Sequence, residues 1–206
     1  APEDRQMAVI GPDGGTVTAV TGESVTLPAG AVTNFIPVEI KALTQQEAGT
    51  SLPAEFNFEG AVSLSFSGNK LLLPASISIP LPAQMTGAGQ FLLVKALELE
   101  GATRLALVGI CKVENGRIVF LVTLPIDGGG QGGGDLLQFE GILTGGRYLV
   151  IQTDAGIGFA GGNVLGSTGS PLSGAVVSSD KLSLVSLSFA NGNYISAVAA
   201  GPFTLT

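Results

Sequence analysis

Residues 62–67 read VSLSFS, a strict alternation of apolar and hydroxyl-bearing side chains. The same period of two recurs in residues 76–81 (SISIPL) and 185–189 (VSLSF). A β-strand turns successive side chains to opposite faces, so each stretch predicts a strand with one buried and one solvent-facing side. Because the pattern returns along the whole chain, it predicts an all-β protein.

Turn-forming residues separate the apolar runs. Asn115-Gly116 and Asn191-Gly192 each stand between two apolar stretches. Both pairs supply the positive φ angles that a two-residue hairpin requires, so both predict a β-hairpin. Four further pairs predict turns between strands, namely Gly14-Gly15, Thr21-Gly22, Gly68-Asn69 and Gly145-Gly146.

Two longer stretches have less regular patterns. Residues 117–124 (RIVFLVTL) are apolar on both faces, which indicates a central strand. Residues 91–100 (FLLVKALELE) contain many good helix formers, although they also fit a strand. We predict a strand for residues 91–100, because the segments on both sides are β.

Composition sets the size and class of the fold. The chain has 206 residues, of which 45% are apolar and 12% charged, and 31 are glycine. This mixture supplies a hydrophobic core and suits short strands joined by tight turns. The length exceeds that of one small sandwich. We therefore predict two or three small antiparallel β-sandwich modules in tandem, with far less helix than the usual third or so of residues.

The charge distribution argues against two classes of partner. The formal net charge is −7, and the nine basic residues are scattered from Arg5 to Lys181 with no two adjacent. Nucleic acids and anionic membranes both attract clustered Lys and Arg, so we predict neither as a partner. No apolar run reaches the roughly 18 residues of a membrane-spanning helix, so we predict no membrane span in this chain.

The chain is poor in side chains for catalysis. It contains no histidine and a single cysteine, Cys111, which lies within the apolar run LALVGIC. We expect a buried, unreactive thiol, because no imidazole is present to activate it. A Ser-Lys pair remains a formal alternative for nucleophilic catalysis. We predict no catalytic residue and no enzymatic activity.

Acidic residues offer the remaining candidates for a site. Glu98 and Glu100 would share one strand face, while Glu55 and Glu59 flank a short aromatic stretch. The glycine-rich segment from Asp127 to Asp135 could bring two carboxylates to a calcium ion, but calcium prefers about six to eight oxygens. We predict a plain loop there, keep calcium binding as the alternative, and predict no cofactor and no metal site.

Residues 11–43 (GPDGGTVTAVTGESVTLPAGAVTNFIPVEIKAL) resemble the zona-occludens/Unc-five domain, the β-sandwich of ankyrins and netrin receptors. In the element Pro28-Ala-Gly-Ala31, the proline would end a strand, Gly30 would permit the turn, and Ala31 would tuck beneath it. The resemblance implies such a domain at residues 7–84. Residues 145–150 (GGRYLV) resemble the final strand of the UPA-type companion domain, which implies that domain at residues 85–154.

Residues 160–206 resemble the carboxypeptidase regulatory-like, prealbumin-type (Ig-like) sandwich. The matching stretches are residues 170–177 (SPLSGAVV), 190–194 (ANGNY) and 201–206 (GPFTLT). About 47 residues are fewer than such a module needs, so we expect an incomplete module and a natural end beyond Thr206. These modules accompany carboxypeptidases without carrying a zinc site, and this chain has no histidine to offer one.

Together the resemblances imply an extracellular or cell-surface protein of bacteria, either secreted or held as a lipoprotein. We predict a non-catalytic structural or adhesive module whose partner is a protein or another cell-envelope component. The alternative is an accessory region of a larger enzyme or self-processing protein. Some relatives cut themselves at a His-Phe-Ser element; here Ser65 precedes Phe66-Ser67 where the histidine would be, so we expect an intact chain.

Overall fold

The computed structural model describes residues 5–82, 89–121, 123–125, 136–154 and 156–206, with side chains for all of these except 123–125, 136 and 137. Within them lie sixteen strands and one four-residue helix. The elements are β1 (Arg5–Ile10), β2 (Gly15–Thr18), β3 (Ser24–Leu27), β4 (Ile36–Leu43), α1 (Gln45–Ala48), β5 (Asn57–Ser65), β6 (Ser76–Pro80), β7 (Gln90–Leu99), β8 (Ala102–Glu114), β9 (Arg117–Leu121), β10 (Thr123–Pro125), β11 (Leu136–Gln138), β12 (Gly146–Thr153), β13 (Ile157–Asn163), β14 (Val176–Ser178), β15 (Leu184–Leu187) and β16 (Asn193–Ala199).

The predicted fold class is confirmed in its coarse form, because the described residues are almost entirely β and pair antiparallel at all but one strand contact. The exception is β15, which runs parallel to β8. Residues 91–99 form a strand as predicted, since β7 spans Gln90–Leu99, and Glu100 lies just beyond its end. The tertiary setting therefore overrides the helix propensity of this segment.

Ten strands form the path of the main sheet, in the order β1-β4-β5-β12-β7-β8-β9-β6-β3-β2, and β14 and β15 join it through β8. The first and last strands of this path, β1 and β2, lie beside each other. The sheet therefore curls into a nearly closed, barrel-like form. Two separate pairs, β10-β11 and β13-β16, complete the strand pairing of the described residues.

The strand order mixes the predicted sequence modules. Strand β5, from residues 7–84, pairs with β12, from residues 85–154, and β6 likewise pairs with β9. The two ranges thus share one sheet, and the described residues do not divide clearly into tandem sandwiches. Alternation along a strand predicts its faces but not its neighbours, which explains the difference. The module boundaries stay predictions.

An inner core fills the main sheet. Val62, Leu64 and Phe66 all lie in it, as their alternation with serines predicts. Ile77 and Ile79 of β6, which lies towards the β2 end of the strand order, belong to the same core. One face of every strand on the main path thus contributes to a shared apolar interior, which is the largest stabilising term for such a fold.

An outer core covers the opposite face of four central strands, β5, β12, β7 and β8. Leu92 and Val94 of β7 and Ile151 of β12 point into it, and each is fully buried. The C-terminal region covers them with side chains that include Ile157 and Leu184. Strands β7 and β12 are therefore buried on both faces, while the C-terminal strands form a second layer.

The doubly buried strands are not the one that the sequence predicts. Strand β9 pairs on both sides, with β8 and β6, so residues 117–121 are central in the sheet as expected. Only Ile118 and Phe120 are buried, however, while Val119 and Leu121 of the opposite face stay half-buried. The reason is that the C-terminal layer lies over β7 and β12 rather than over β9.

The predicted turns mostly hold. Asn115 and Gly116 have φ angles of 51° and 71° and join β8 to β9 as a two-residue hairpin. Gly30 has a φ of 81° in the turn that follows β3, and Ala31 is buried beneath it as expected. The two-residue hairpin predicted at Asn191-Gly192 is wrong: only Gly192 has a positive φ, and β15 and β16 on either side pair with other strands.

Candidate functional site

The predicted acidic pairs do not form a catalytic arrangement. Strand β7 ends at Leu99, and Glu100 lies in a tight turn at a φ of 53°. The prediction that Glu98 and Glu100 share one strand face is therefore wrong. The Glu98 carboxylate accepts a hydrogen bond of 2.6 Å from Thr103 and lies 3.6 Å from the Arg147 guanidinium. It is thus engaged in contacts between neighbouring strands.

The other acidic candidates are dispersed. The Glu55 carboxylate accepts a hydrogen bond from the Ser183 amide, while Glu59 lies half-buried in β5, where burial raises the pKa of its carboxyl. Asp127 and Asp135, the calcium candidates, lie outside the described residues. Across the part of the chain that the structure describes, no three His, Cys, Asp or Glu side chains group as they would around a metal ion.

Cys111 lies on β8 with its side chain in the inner core, as the sequence predicts. Burial raises the pKa of its thiol well above the ordinary value. A neutral, enclosed thiol is a poor nucleophile and a poor metal ligand.

Within the described ranges, no helix is long and apolar enough to cross a membrane.

A groove lies between the main sheet and the C-terminal layer. This groove has an outer compartment of about 750 Å³. One wall comes from residues 72–74 and 138–143, and the other from residues 161–163 and 189–195. The lining combines apolar and aromatic side chains with neutral amides: Leu72, Phe139, Leu143, Phe189 and Tyr194 with Gln138, Asn163, Asn191 and Asn193.

The paired strands β13 and β16 fix the polar wall of the outer compartment. Asn163 and Asn193 lie opposite each other in the register, and the Asn163 amide donates to the Asn193 side-chain oxygen. Tyr194 lies against Gly162, where an added Cβ would come within 2.8 Å of the tyrosine hydroxyl. The glycine thus makes room for the aromatic ring beside the amides.

A smaller, inner compartment of about 160 Å³ lies beside the outer one. The two compartments share Glu140, Leu143 and Phe189 in their linings, so they are neighbouring parts of the groove. Two lysines, Lys70 and Lys95, line only the inner compartment. The outer compartment is therefore largely uncharged and aromatic, with Glu140 as its one charged lining residue, whereas both lysines line the inner compartment.

Lys95 is the most unusual basic side chain of the groove. It lies half-buried on β7, opposite Tyr148 of β12, and its ammonium is 5.2 Å from the centre of the Tyr148 ring. The ammonium donates a hydrogen bond of 2.6 Å to the hydroxyl of Thr144. Burial lowers the pKa of Lys95, because removal of water disfavours its charged form.

Two neighbours hold this arrangement in place. The Tyr148 hydroxyl donates a 2.5 Å hydrogen bond to the Thr144 carbonyl, and burial raises the pKa of the phenol, so it stays neutral. Gly146, at the start of β12, leaves space for the lysine, since an added Cβ there would lie 2.6 Å from Lys95 Cε. The ammonium therefore faces the inner compartment from a constrained position.

The groove was not predicted from the sequence, although two pairs of glycines could have indicated it. Gly145 immediately precedes β12 and Gly146 begins it, while Gly161 and Gly162 lie within β13. Glycine inside a strand often marks the close approach of another group. Here the approaching groups are Lys95 and Tyr194.

A comparison of this chain with protein-family models and another with curated protein sequences found no match.

Proposed function

We propose that this chain is a non-catalytic structural and adhesive module that binds a partner protein through the groove between its main sheet and its C-terminal layer. The groove itself carries the proposal. It is a concave site of about 750 Å³ in its outer compartment, which falls within the usual range for ligand sites.

The lining of the outer compartment suits a polypeptide segment. The side-chain amides of Gln138, Asn163, Asn191 and Asn193 can each donate and accept hydrogen bonds, as the peptide groups of a bound chain require. Phe139, Phe189 and Tyr194 offer apolar surface for side chains, and aromatic residues are enriched at protein interfaces. Glu140 is the one charged residue in this lining, so the compartment does not select for a highly charged ligand.

The walls of the groove are anchored to the two cores. Ile142, in the segment between β11 and β12 that supplies part of one wall, is fully buried in the inner core. Ala197 of β16, two residues beyond the lining residue Ile195, is buried in the outer core. Such anchoring lowers the entropic cost of binding, because the site does not have to be ordered by the ligand.

The proposed setting follows from the sequence resemblances. Residues 7–84 and 85–154 would form the zona-occludens/Unc-five-like and UPA-like parts, which share the main sheet, and residues 160–206 would form the prealbumin-type part. Modules of this last kind are typical of bacterial surface proteins. We therefore propose a secreted or surface-attached protein whose partner belongs to the cell envelope or its surroundings.

Peptide selection on the purified chain tests this proposal. Random displayed peptides would be selected on the immobilised protein and tested on two variants, Ala190→Trp in the outer compartment and Ala29→Trp in the exposed turn after β3. We expect the enriched peptides to bind the wild type and Ala29→Trp but not Ala190→Trp, whose indole fills the groove. Failure to enrich any peptide, or equal binding to both variants, would contradict the proposal.

A further inference from the structure

We propose that the inner compartment of the groove is a carboxylate-binding pocket in which Lys95 receives an acidic group of the bound polypeptide. This inference rests on the proposed function, since it assigns the basic end of the same groove. It concerns a carboxylate at either a Glu or Asp side chain or a chain terminus, because both present the same chemistry.

Lys95 has no carboxylate partner in the ion pairs of the described residues. The ion pairs of the described residues use other basic side chains, namely Arg5, Lys41, Lys112, Arg147 and Lys181. An ammonium has three donors, and Thr144 accepts from one of them. Lys95 is thus a half-buried cation without an ion-pair partner among the described residues, and such a cation gains strongly when an anion replaces its lost water.

The lining of the inner compartment contains a second basic residue. Lys70, which is exposed, lies in this lining with Lys95, and Glu140 is the one acidic residue among its described residues. Tyr148, the other titratable group of the lining, keeps its proton because burial raises its pKa. The pocket therefore has an excess of positive charge, although the chain as a whole carries a formal charge of −7.

The inner compartment has the size and position to receive a carboxylate. A volume of about 160 Å³ holds several water molecules at roughly 30 Å³ each, which is room enough for a carboxylate and its nearest methylene groups. Phe189 and Leu143 line both compartments, so the pocket that contains Lys95 lies directly beside the outer compartment. A peptide that lies along the groove can thus place one acidic group against the ammonium.

Lysine NMR of the intact chain tests the pocket directly. With isotopically labelled lysine, acetate would be titrated into the protein, and acetamide would serve as its neutral counterpart. We expect acetate to shift the Lys95 Cε–Hε signal in a saturable way and to raise the pKa of Lys95, while acetamide does neither. Lys112, which is exposed and paired with Glu114, provides the internal reference signal.

Substitutions extend the test to peptides. Relative to the wild type, Lys95→Gln and Lys95→Met should bind an acidic selected peptide roughly tenfold more weakly, because a charge-assisted hydrogen bond is lost. Lys112→Gln should bind it unchanged. An amidated peptide with one Glu and a neutral peptide with a free carboxyl end would then show which carboxylate the pocket prefers.

The outcomes separate this inference from the proposed function. Equal shifts with acetate and acetamide, or wild-type peptide affinity in both Lys95 variants, would overturn the carboxylate pocket even if Ala190→Trp still blocks peptide binding. If no selected peptide bound the wild type, the proposed function would be overturned. A saturable acetate shift at Lys95 would still support the pocket in that case. The acetate titration uses the wild-type chain, so it holds even if a variant fails to fold.

Discussion

Arg117 shows how much a single side chain contributes to this sheet. Its guanidinium donates to the Ser78 hydroxyl at 2.6 Å and to the Ser78 carbonyl at 3.1 Å, and it also donates to the Gly22 carbonyl at 2.7 Å. It therefore ties β9 and β6 to the turn between β2 and β3. Each of these acceptors would need a new partner if the guanidinium were removed.

We expect Arg117→Ala to lower the free energy of unfolding by about 1.5–3 kcal/mol, the range for hydrogen bonds to charged groups. Urea unfolding followed by circular dichroism measures the change. The control is Arg104→Ala on the neighbouring strand β8, an exposed arginine for which we expect a change within about 0.5 kcal/mol. A loss at position 104 as large as that at 117 would contradict this role.

The Phe66-Ser67 peptide bond gives a second residue-level prediction. Ser67 has a φ of 52°, and the Phe66 carbonyl accepts hydrogen bonds from the Asn69 amide and side chain at 3.0 and 2.8 Å. The Ser67 hydroxyl, however, donates to the Pro37 carbonyl, and the chain has no imidazole to take its proton. Backbone strain alone does not start the acyl shift without a proton acceptor.

We therefore expect aged protein to keep the intact mass of 20.6 kDa. Mass spectrometry after prolonged incubation measures this directly, with Ser67→Ala incubated in parallel. Two equimolar fragments that meet between Phe66 and Ser67 in the wild type, and are absent from Ser67→Ala, would show that the prediction is wrong.

At the scale of elements, helix α1 depends on a capping box. The Thr44 hydroxyl accepts from the Glu47 amide at 3.2 Å, and the Glu47 carboxylate accepts from the Thr44 amide at 2.9 Å. These hydrogen bonds to the charged form, with the Lys41 ammonium 2.9 Å away, lower the pKa of Glu47 from 4.5 to about 2. Thr44 and Glu47 have the spacing that predicts such a helix start.

The direction of the pH effect follows from this lowered pKa. The native state holds the proton less tightly than the unfolded chain, so the contribution of Glu47 to stability is complete above its ordinary pKa of 4.5. It is lost as the pH falls from 4.5 towards about 2. We expect Glu47→Gln to flatten the pH dependence of the unfolding free energy in this window, as measured by urea unfolding at several pH values.

The matched control for this element is Gln46→Ala, which leaves the carboxylate and its donors in place. It should keep the wild-type pH dependence while changing overall stability only slightly. An identical slope in the wild type and Glu47→Gln would mean that the capping box does not couple folding to pH.

The strands were predictable from sequence, but their partners were not. Alternation correctly identified β5 and β6, and Asn115-Gly116 correctly identified a hairpin. The second two-residue turn of the central strands, Glu100-Gly101, was missed because glutamate rarely adopts the φ of 53° that it has here. Local propensity describes one residue at a time, and this turn is held in place by the pairing of β7 with β8.

The groove was less predictable than the strands for a similar reason. Its walls come from four separate stretches, at residues 72–74, 138–143, 161–163 and 189–195. These stretches are well separated along the chain. No motif joins Lys95 to Thr144, which are 49 positions apart. Sequence patterns could predict the scaffold, whereas the site arises only when the C-terminal layer packs on the main sheet.

At the scale of the whole molecule, two apolar cores share one set of strands. Leu93 of β7 lies in the inner core, while Leu92 and Val94, its neighbours in sequence, lie in the outer core. Strand β12 alternates in the same way, with Val150 in the inner core and Ile151 in the outer. Loss of the outer layer would expose an apolar face of strands that the inner core also needs.

This sharing predicts that the two layers unfold together. We expect Leu92→Ala, which opens a cavity in the outer core, to cost about 2–5 kcal/mol and to leave a single unfolding transition. The background variant Tyr194→Phe leaves Tyr148 as the one tyrosine, so its fluorescence reports on the inner core while circular dichroism reports on all strands. The two signals should change at the same urea concentration, both with Leu92 intact and with Leu92→Ala. Val113→Ala, at an exposed position of β8, provides the control and should shift neither signal. If circular dichroism is lost before Tyr148 fluorescence changes, the C-terminal layer unfolds by itself, and the chain would then behave as tandem modules that merely touch.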